Sequence, residues 1–396
     1  MKNVINTEQK PIKLWLEEIE EGALNQAKNL ANLPFIFKHI AIMPDAHQGY
    51  GMPIGGVMAT RKVIVPNAVG VDIGCGMCAV KTSIPQLDQT ALKKIMGGSK
   101  DFPGGIKSKV PVGFSHRSKK QDEWLTEKEK GDLSGWSVIE QEYNSSLNQI
   151  GSLGGGNHFI EIQQGSDGFV WLMIHSGSRN IGYKVANHYN KLAIELNEKW
   201  MTSVPQKWEL AFLPLDSEEG QHYLKEMSFC VDFARKSRRL MMKNVQSCVI
   251  EAIGSVGFAN TVDIPHNYAT IENHFKTNVM VHRKGATRAY KDQLGVIPGS
   301  QGTSSYIVRG KGNPESFKSC SHGAGRRMGR KQAQRELNLE NEKNRLDALG
   351  VIHGIRNQKD LDEAPGAYKD ISIVMENQTD LVSIEVELKP LAVIKG

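Results

Sequence analysis

Residues 35–56, FIFKHIAIMPDAHQGYGMPIGG, decide the fold class. The first nine, Phe35 to Met43, are mostly apolar and isoleucine-rich and read as a strand. Pro44-Asp45-Ala46-His47 then opens a glycine-rich loop, where backbone without Cβ atoms can approach a ligand and Asp45 could orient a reacting group. Nothing within the segment separates that role from a plain turn. From there to about Thr82, glycine turns alternate with short β-branched runs, Lys62 to Val65 and Cys78 to Ile84. Upstream, Leu16, Ile19, Leu24, Ala27 and Leu30 recur at helical steps until Pro34 stops them. The pattern is α+β: sheet carrying functional loops, with helices around it.

Downstream, residues 98–133 are polar and lysine-rich, including Lys119-Lys120 and Lys128 to Lys130, and read as a surface excursion with helical parts. A second strand-loop region spans Leu153 to Arg179. Asp216 and Ser217 can cap a long helical stretch through Tyr223, Met227, Val231 and Leu240 to Ile253, with Arg235, Lys236, Arg238 and Arg239 clustered on it. We expect residues 209–253 to be a helical insertion, either as one long stretch or as a hairpin. Sheet resumes at Val262 and runs through Ser305 to Val308; a basic helix should follow His322, and a strand over Leu381 to Ile394 ends the pattern. With no repeat and no linker, the 396 residues are expected to form one catalytic domain.

At 39% hydrophobic and 23% charged residues the chain falls in the globular range, not the disordered or fibrous one. The longest apolar run, Phe169 to Ile174, is far below the ~18 residues of a membrane span. The first residues lack the apolar stretch of a secretory signal, so a cytoplasmic location without membrane contact is expected. The five cysteines are odd in number and scattered, which suits reduced thiols. Forty-nine Lys and Arg against 43 Asp and Glu give +6, weak evidence for a polyanionic partner. Glycine, 39 residues, is well above its usual ~7% share and must be concentrated in specific loops.

Asp72, Cys75, His158, His175 and His266 all sit near glycine, proline or asparagine. Carboxylate, thiolate and imidazole together suit a borderline divalent metal such as Mn, Zn or Co rather than calcium or magnesium. Any one of these histidines alone would more often be a hydrogen-bonded core residue. Cys75-Gly76-Met77-Cys78 also allows a redox or zinc-ribbon reading, though no second CxxC follows. Three loops combine small residues with polar ones: Leu153 to His158, Ile297 to Ser305 and Ser321 to Arg326. Strings of backbone N–H groups there could cradle phosphates, and the third loop is expected to open a helix whose dipole adds to the effect. On that helix Arg326 and Arg330 would share a face and clamp phosphate, although a solvated basic face would look the same. His322, at the helix mouth, is placed to attack phosphorus and leave once protonated.

In order and spacing, PDAHQGYGMPIGG (44–56), VGVDIGCG (69–76), LGGGNHFIEI (153–162), HSGSR (175–179), PHNYA (265–269), HRKGA (282–286), IPGSQGTSSYIV (297–308), SCSHGAGR (319–326), APGAYKDI (364–371) and VIKG (393–396) resemble the motifs of RtcB-type RNA-splicing ligases. The resemblance covers Asp45 to Gly396. It implies GTP- and Mn²⁺-dependent joining of an RNA 3′-phosphate or 2′,3′-cyclic phosphate end to a 5′-hydroxyl end, in RNA splicing or repair. By this resemblance His322 takes GMP, the RNA 3′-phosphate displaces it to give an RNA 3′-ppG end, and the 5′-hydroxyl expels GMP. Asp45 is a candidate for positioning the opening of the cyclic phosphate.

The resemblance further implies two metal ions bridged by Cys75, with Asp72 and His158 on one and His175 and His266 on the other. Nucleotide contacts would come from Asn157, His158, Phe159, Ile160 and Glu161, from His266 and Asn267, and from Pro298, Gly299, Ser300, Gln301 and Ser305. His322, Gly323, Ala324, Gly325 and Lys395 complete that set. Glu161 would accept from the guanine N1 and N2 donors, and Arg179 and Arg330 would contact RNA phosphates. A monomer is expected; some family members work with an activating protein, which leaves that partner open here. Two positions depart from the family pattern: Gln301 stands where many members carry methionine, and Cys78 where others have asparagine. Residues 209–253 match less specifically. A dinuclear-metal phosphatase or phosphodiesterase, or a non-catalytic RNA-binding protein, would use some of the same residues without needing His322.

Overall fold

The computed structural model describes residues 1–121 and 137–396; Lys128 to Lys130 lie outside the described residues. Two mostly antiparallel sheets organise the chain, with helices packed around them, an α+β architecture. The six-stranded sheet runs, in spatial order, Asn3–Ile5, Ile12–Leu14, Ile36–His47, Ile54–Thr60, Thr277–Lys284 and Asn267–His274. The seven-stranded sheet runs Val262–Pro265, Gly76–Lys81, Val170–Ser176, Phe159–Gly165, Val382–Lys395, Ser305–Gly310 and Leu294–Ile297. A ribbon of Ala286–Arg288 with Ser319–Ser321 delivers the chain to His322.

Three sequence expectations change. The N-terminal helix spans Glu21–Ala31, not Leu16 onward, because Ile12–Leu14 pairs in parallel with Ile40–Ile42 and draws the preceding segment into the sheet. The strand beginning at Ile36 continues through Pro44 and Asp45 to His47, so Asp45 and His47 sit on a strand end rather than in a loop. Its register with Ile54–Thr60 shifts between Ile42 and His47, which accommodates the proline without a ladder bond. The third is narrowed at 209–253, where Glu218–Ile253 is one unbroken 36-residue helix and not a hairpin. The Ser217 hydroxyl accepts from Gly220 N–H at its start, and residues 221–253 contain no glycine or proline to turn the chain. Its buried residues join two cores: Tyr223, Met227, Cys230 and Phe233 pack with the helix Arg179–Lys199, and Met241, Val245 and Val249 lie under the seven-stranded sheet. Among the described residues no helix is long and apolar enough to cross a membrane.

Candidate active site

Strand ends deliver the metal-ligand candidates to one place. The strand Gly76–Lys81 follows Cys75, and Val170–Ser176 carries His175 opposite Met77. His158 precedes the strand Phe159–Gly165, and His266 follows Val262–Pro265. Two groups of donor atoms result, Cys75 with His175 and His266, and Asp72 with Cys75 and His158; within each, all atoms lie within 4.8 Å of one another. Cys75 belongs to both.

The donors suit a cation. His158 Nδ1 lies 2.9 Å from the Leu153 carbonyl and His175 Nδ1 3.1 Å from that of Asn157, so both Nδ1 atoms donate and both Nε2 atoms carry lone pairs. These lone pairs face Cys75 Sγ at 3.4 and 3.2 Å, Asp72 Oδ2 at 3.0 Å and His266 Nε2 at 3.4 Å. Donor atoms turned on one another fit a bound divalent ion. Burial, with the neighbouring imidazoles, holds His175 and His266 well below the usual imidazole range, in the neutral form that ligates. Burial and the Asp72 carboxylate raise the Cys75 thiol, so its thiolate needs a cation to displace the proton. Burial works to raise the Asp72 carboxyl as well, but the hydrogen bond and charge of His158 bring it down to about 2.

Beside this cluster lies His322, its ring 4.8 Å from that of His266. Its Nδ1 is 2.6 Å from Asp45 Oδ2, which also accepts from the backbone N–H groups of His322 and Gly323 at 3.0 and 3.3 Å. Asp45 is fully buried, and its Oδ1 has no partner. The Asp45 backbone can come this close to the loop because residue 325 is glycine at φ +73°, where a Cβ would lie 2.1 Å from the Asp45 main-chain carbonyl oxygen. With Nδ1 donating to Asp45, His322 Nε2 is the free nucleophilic nitrogen. The structure corrects the phosphate-nest reading of this loop, since Asp45 already takes two of its N–H groups. No helix starts there either: residues 322–329 are irregular, and the helix begins at Arg330.

Arg326 and Arg330 therefore do not share a helical face. Glu363 brings them together instead, meeting Arg326 at 3.0 Å, Arg330 at 3.3 Å and Lys395 at 3.3 Å. Burial would raise the Glu363 carboxyl, and these cations, Lys395 first, hold it below its usual range. Sequence reasoning missed Glu363, which stands next to the APGAYKDI motif but 37 residues from Arg326. It placed His47 beside Asp45 but gave it no role, and it missed Tyr368; both are on the cavity wall.

These groups surround a cavity of about 230 Å³. Residues 298–301, 322–325, His266, Asn267 and Lys395 line it, as do Asn157, Phe159 and Glu161. Strand alternation turns Ile160 the other way, into the core with Leu153 and Ile162. Ser305 stands behind the wall, its hydroxyl accepting from Gly299 N–H and from Gln163, so it shapes the 298–305 loop. Burial pushes the Glu161 carboxyl up to about 8 against the pull of Lys395 and the Gln163 amide. Gln301 donates to the Glu363 carbonyl at 2.8 Å and leaves its own carbonyl oxygen without a partner. Cys78 points into the apolar core on the far face of its strand from the cavity. Arg179 and Arg330 pack against the 154–156 loop: a Cβ on Gly154 would lie 1.9 Å from Arg179 Nη1, and one on Gly156 2.8 Å from Arg330 Nη2.

The model of the tRNA-splicing ligase RtcB family matches residues 26–396. The chain is 37% identical over 419 residues to the RNA-splicing ligase RtcB of Escherichia coli strain K12, covering 99% of both proteins. It is 32% identical over 443 residues to the tRNA-splicing ligase RtcB of Thermococcus kodakarensis, covering 95% of this chain and 92% of that one. Against the Methanococcus maripaludis protein of the same description the identity is 32% over 449 residues, with 97% and 93% covered. With similarity along nearly its whole length, the chain belongs to the RtcB family of tRNA-splicing ligases.

Proposed function

We propose that the protein joins RNA ends bearing a 3′-phosphate, or a 2′,3′-cyclic phosphate once opened, to 5′-hydroxyl ends, using GTP. The observation that carries this reading is the His322–Asp45 pair beside the shared-thiolate cluster. His322 Nε2 attacks the α-phosphorus of GTP and pyrophosphate leaves. Asp45 holds Nδ1–H throughout and stabilises the positive ring that results. An RNA 3′-phosphate oxygen then attacks the same phosphorus, His322 departs, and an RNA 3′-ppG end forms. The 5′-hydroxyl of the second RNA attacks the RNA 3′-phosphorus and expels GMP.

Two Mn²⁺ ions held by Asp72, Cys75, His158, His175 and His266 would supply charge neutralisation at the phosphates. The protein's own part is orientation. Glu161 accepts from the guanine edge, Lys395 and Arg326 hold phosphates, and Arg179 and Arg330 receive the RNA backbone. Contributions from Asp45 through Lys395 support treating residues 1–396 as one catalytic unit. The test is incubation with Mn²⁺ and α-labelled GTP, which should give an acid-labile protein–GMP adduct that His322→Ala abolishes. Cys75→Ala should lose both metal and adduct while staying folded. An adduct surviving in His322→Ala sinks the mechanism; phosphate release without any adduct would mean a metallophosphatase.

A further inference from the structure

The segment that follows Val110 presents Phe114 with a relative exposure of 102%, a ring standing wholly in water. An exposed phenylalanine on a loose loop would mean little, but this loop is tied down on both sides of the ring. Before it, Leu153 N–H donates to the Pro111 carbonyl at 2.8 Å and Gly113 N–H donates to the Gly154 carbonyl at 2.8 Å. After it, Arg117 N–H donates to the Asn148 carbonyl at 2.9 Å, and Arg117 Nη2 donates to that of Gly151 at 2.8 Å. Asn148 Nδ2 returns a bond to the Arg117 carbonyl at 2.9 Å. Water therefore faces an aromatic ring on an anchored backbone.

The anchor is the 154–156 loop itself. A Cβ on Gly155 would have Gly113 Cα 3.9 Å away, while Gly154 and Gly156 on either side carry the Arg179 and Arg330 guanidinium groups. Asn157, next in the chain, lines the cavity. His116, Lys119 and Lys120 are exposed on the same loop. Among the described residues, Lys119 and Lys120 on its own loop and Arg179 and Arg330 on the loop it is tied to supply positive charge, and the neighbouring exposed apolar residue, Val112, adds little area, well short of what a protein interface requires. An aromatic face next to guanidinium groups is the arrangement by which proteins hold single-stranded nucleic acid, the base stacking and the phosphates paired.

We propose that Phe114 is a stacking platform for an unpaired base close to the RNA end in the cavity, with Arg179 and Arg330 taking the flanking phosphates. This rests on the RNA-joining reading and adds a preference for single-stranded ends. Stacking on an aromatic side chain contributes about 1–3 kcal/mol per base, so Phe114→Ala should weaken RNA binding by roughly 5- to 150-fold. Phe114→Trp should restore it, and Ile271→Ala, an exposed apolar residue on the other sheet, should leave it unchanged.

The decisive experiment places an abasic nucleotide at successive positions from the 3′-phosphate end and from the 5′-hydroxyl end of fluorescent single-stranded RNAs. Binding constants are measured directly with the whole protein. At one position the abasic RNA should lower wild-type affinity to the Phe114→Ala level and cause no further loss in that variant. Additive losses at every position, or equal affinity of wild type and Phe114→Ala, would overturn the proposal. Because binding is read without ligation, the two readings fail separately. RNA bound with the stacking signature but never joined refutes the ligase function, and RNA that is joined but bound equally well by wild type and Phe114→Ala refutes the platform.

Discussion

Arg238 sits on the long helix among Arg235, Lys236 and Arg239, yet it is fully buried. Its Nη1 donates to the carbonyls of Gly74 and Ser176, both at 2.9 Å, and its Nη2 meets Asp263 Oδ1 at 2.6 Å. Gly74 precedes Cys75, Ser176 follows His175, and Asp263 lies on the strand leading to His266. One guanidinium thus ties together the backbones that carry three candidate metal ligands. Burial would lower its pKa, but Asp263 reverses that and holds it above the ordinary value. Replacing it with methionine leaves Asp263, whose side chain is 10% exposed, without its partner, at a cost of about 3 kcal/mol, the low end for a broken buried pair. Out of a typical 5–15 kcal/mol, the fold should survive but be strongly weakened.

The double variant Arg238→Met with Asp263→Leu separates stability from positioning. Removing both charges should return most of the lost stability, since apolar replacement of a buried pair is often neutral. It cannot return the two donors to the Gly74 and Ser176 carbonyls, so Cys75 and His175 stay less well held. Loss of such outer support usually lowers metal affinity about 10- to 100-fold. Urea unfolding in chelator reads the first quantity, and competition with a chromogenic chelator for Mn²⁺ or Co²⁺ reads the second. A double variant that regains wild-type stability and wild-type metal affinity together would refute the positioning role.

Two further expectations concern the cavity wall. With Glu161 raised to about 8 in the folded protein, the unfolded chain releases its proton first as pH rises from near 4.5, so nucleotide-free stability should fall between those values and Glu161→Gln should remove the fall. The guanine donors need the carboxylate, so GTP affinity should climb toward pH 8 and level off above it; an unchanged slope in titrations of Glu161→Gln would defeat this assignment. Gly325→Ala forces a Cβ to 2.1 Å from the Asp45 carbonyl at φ +73° and should cost about 1–3 kcal/mol with loss of guanylylation, whereas Gly329→Ala, with open space around it, should be silent in both thermal unfolding and adduct formation.

The metal-ligand candidates were legible because thiol, carboxylate and imidazole beside glycine and proline are unusual residues for loops, and strand ends bring such loops together. Their division around Cys75 came from the family resemblance, not from spacing. The long helix, its Ser217 cap and its end at Ile253 were legible, and the hairpin alternative could have been set aside: without glycine or proline across residues 221–253, nothing turns the chain. The His322–Asp45 pair was not legible as a pair, because 277 residues separate the partners and the strand ends that join them belong to different sheets.

Charge was the least legible property, and the reason is pairing. Arg238 stood in the sequence as one of four clustered basic residues, but the carboxylate that pairs with it lies on a strand 25 residues on. Arg326 and Arg330 looked like a helical clamp, but Glu363 organises them. One carboxylate there faces three cations, Arg326, Arg330 and Lys395, so the group around Glu363 keeps a positive excess on its side of the cavity, across from the Asp72 carboxylate. That local excess, together with Arg179 on Gly154, bears on phosphate binding far more directly than the chain total of +6. Glu363 sets both the position of these cations and how much of their charge remains for a phosphate, and no count of basic residues along the sequence contains either quantity.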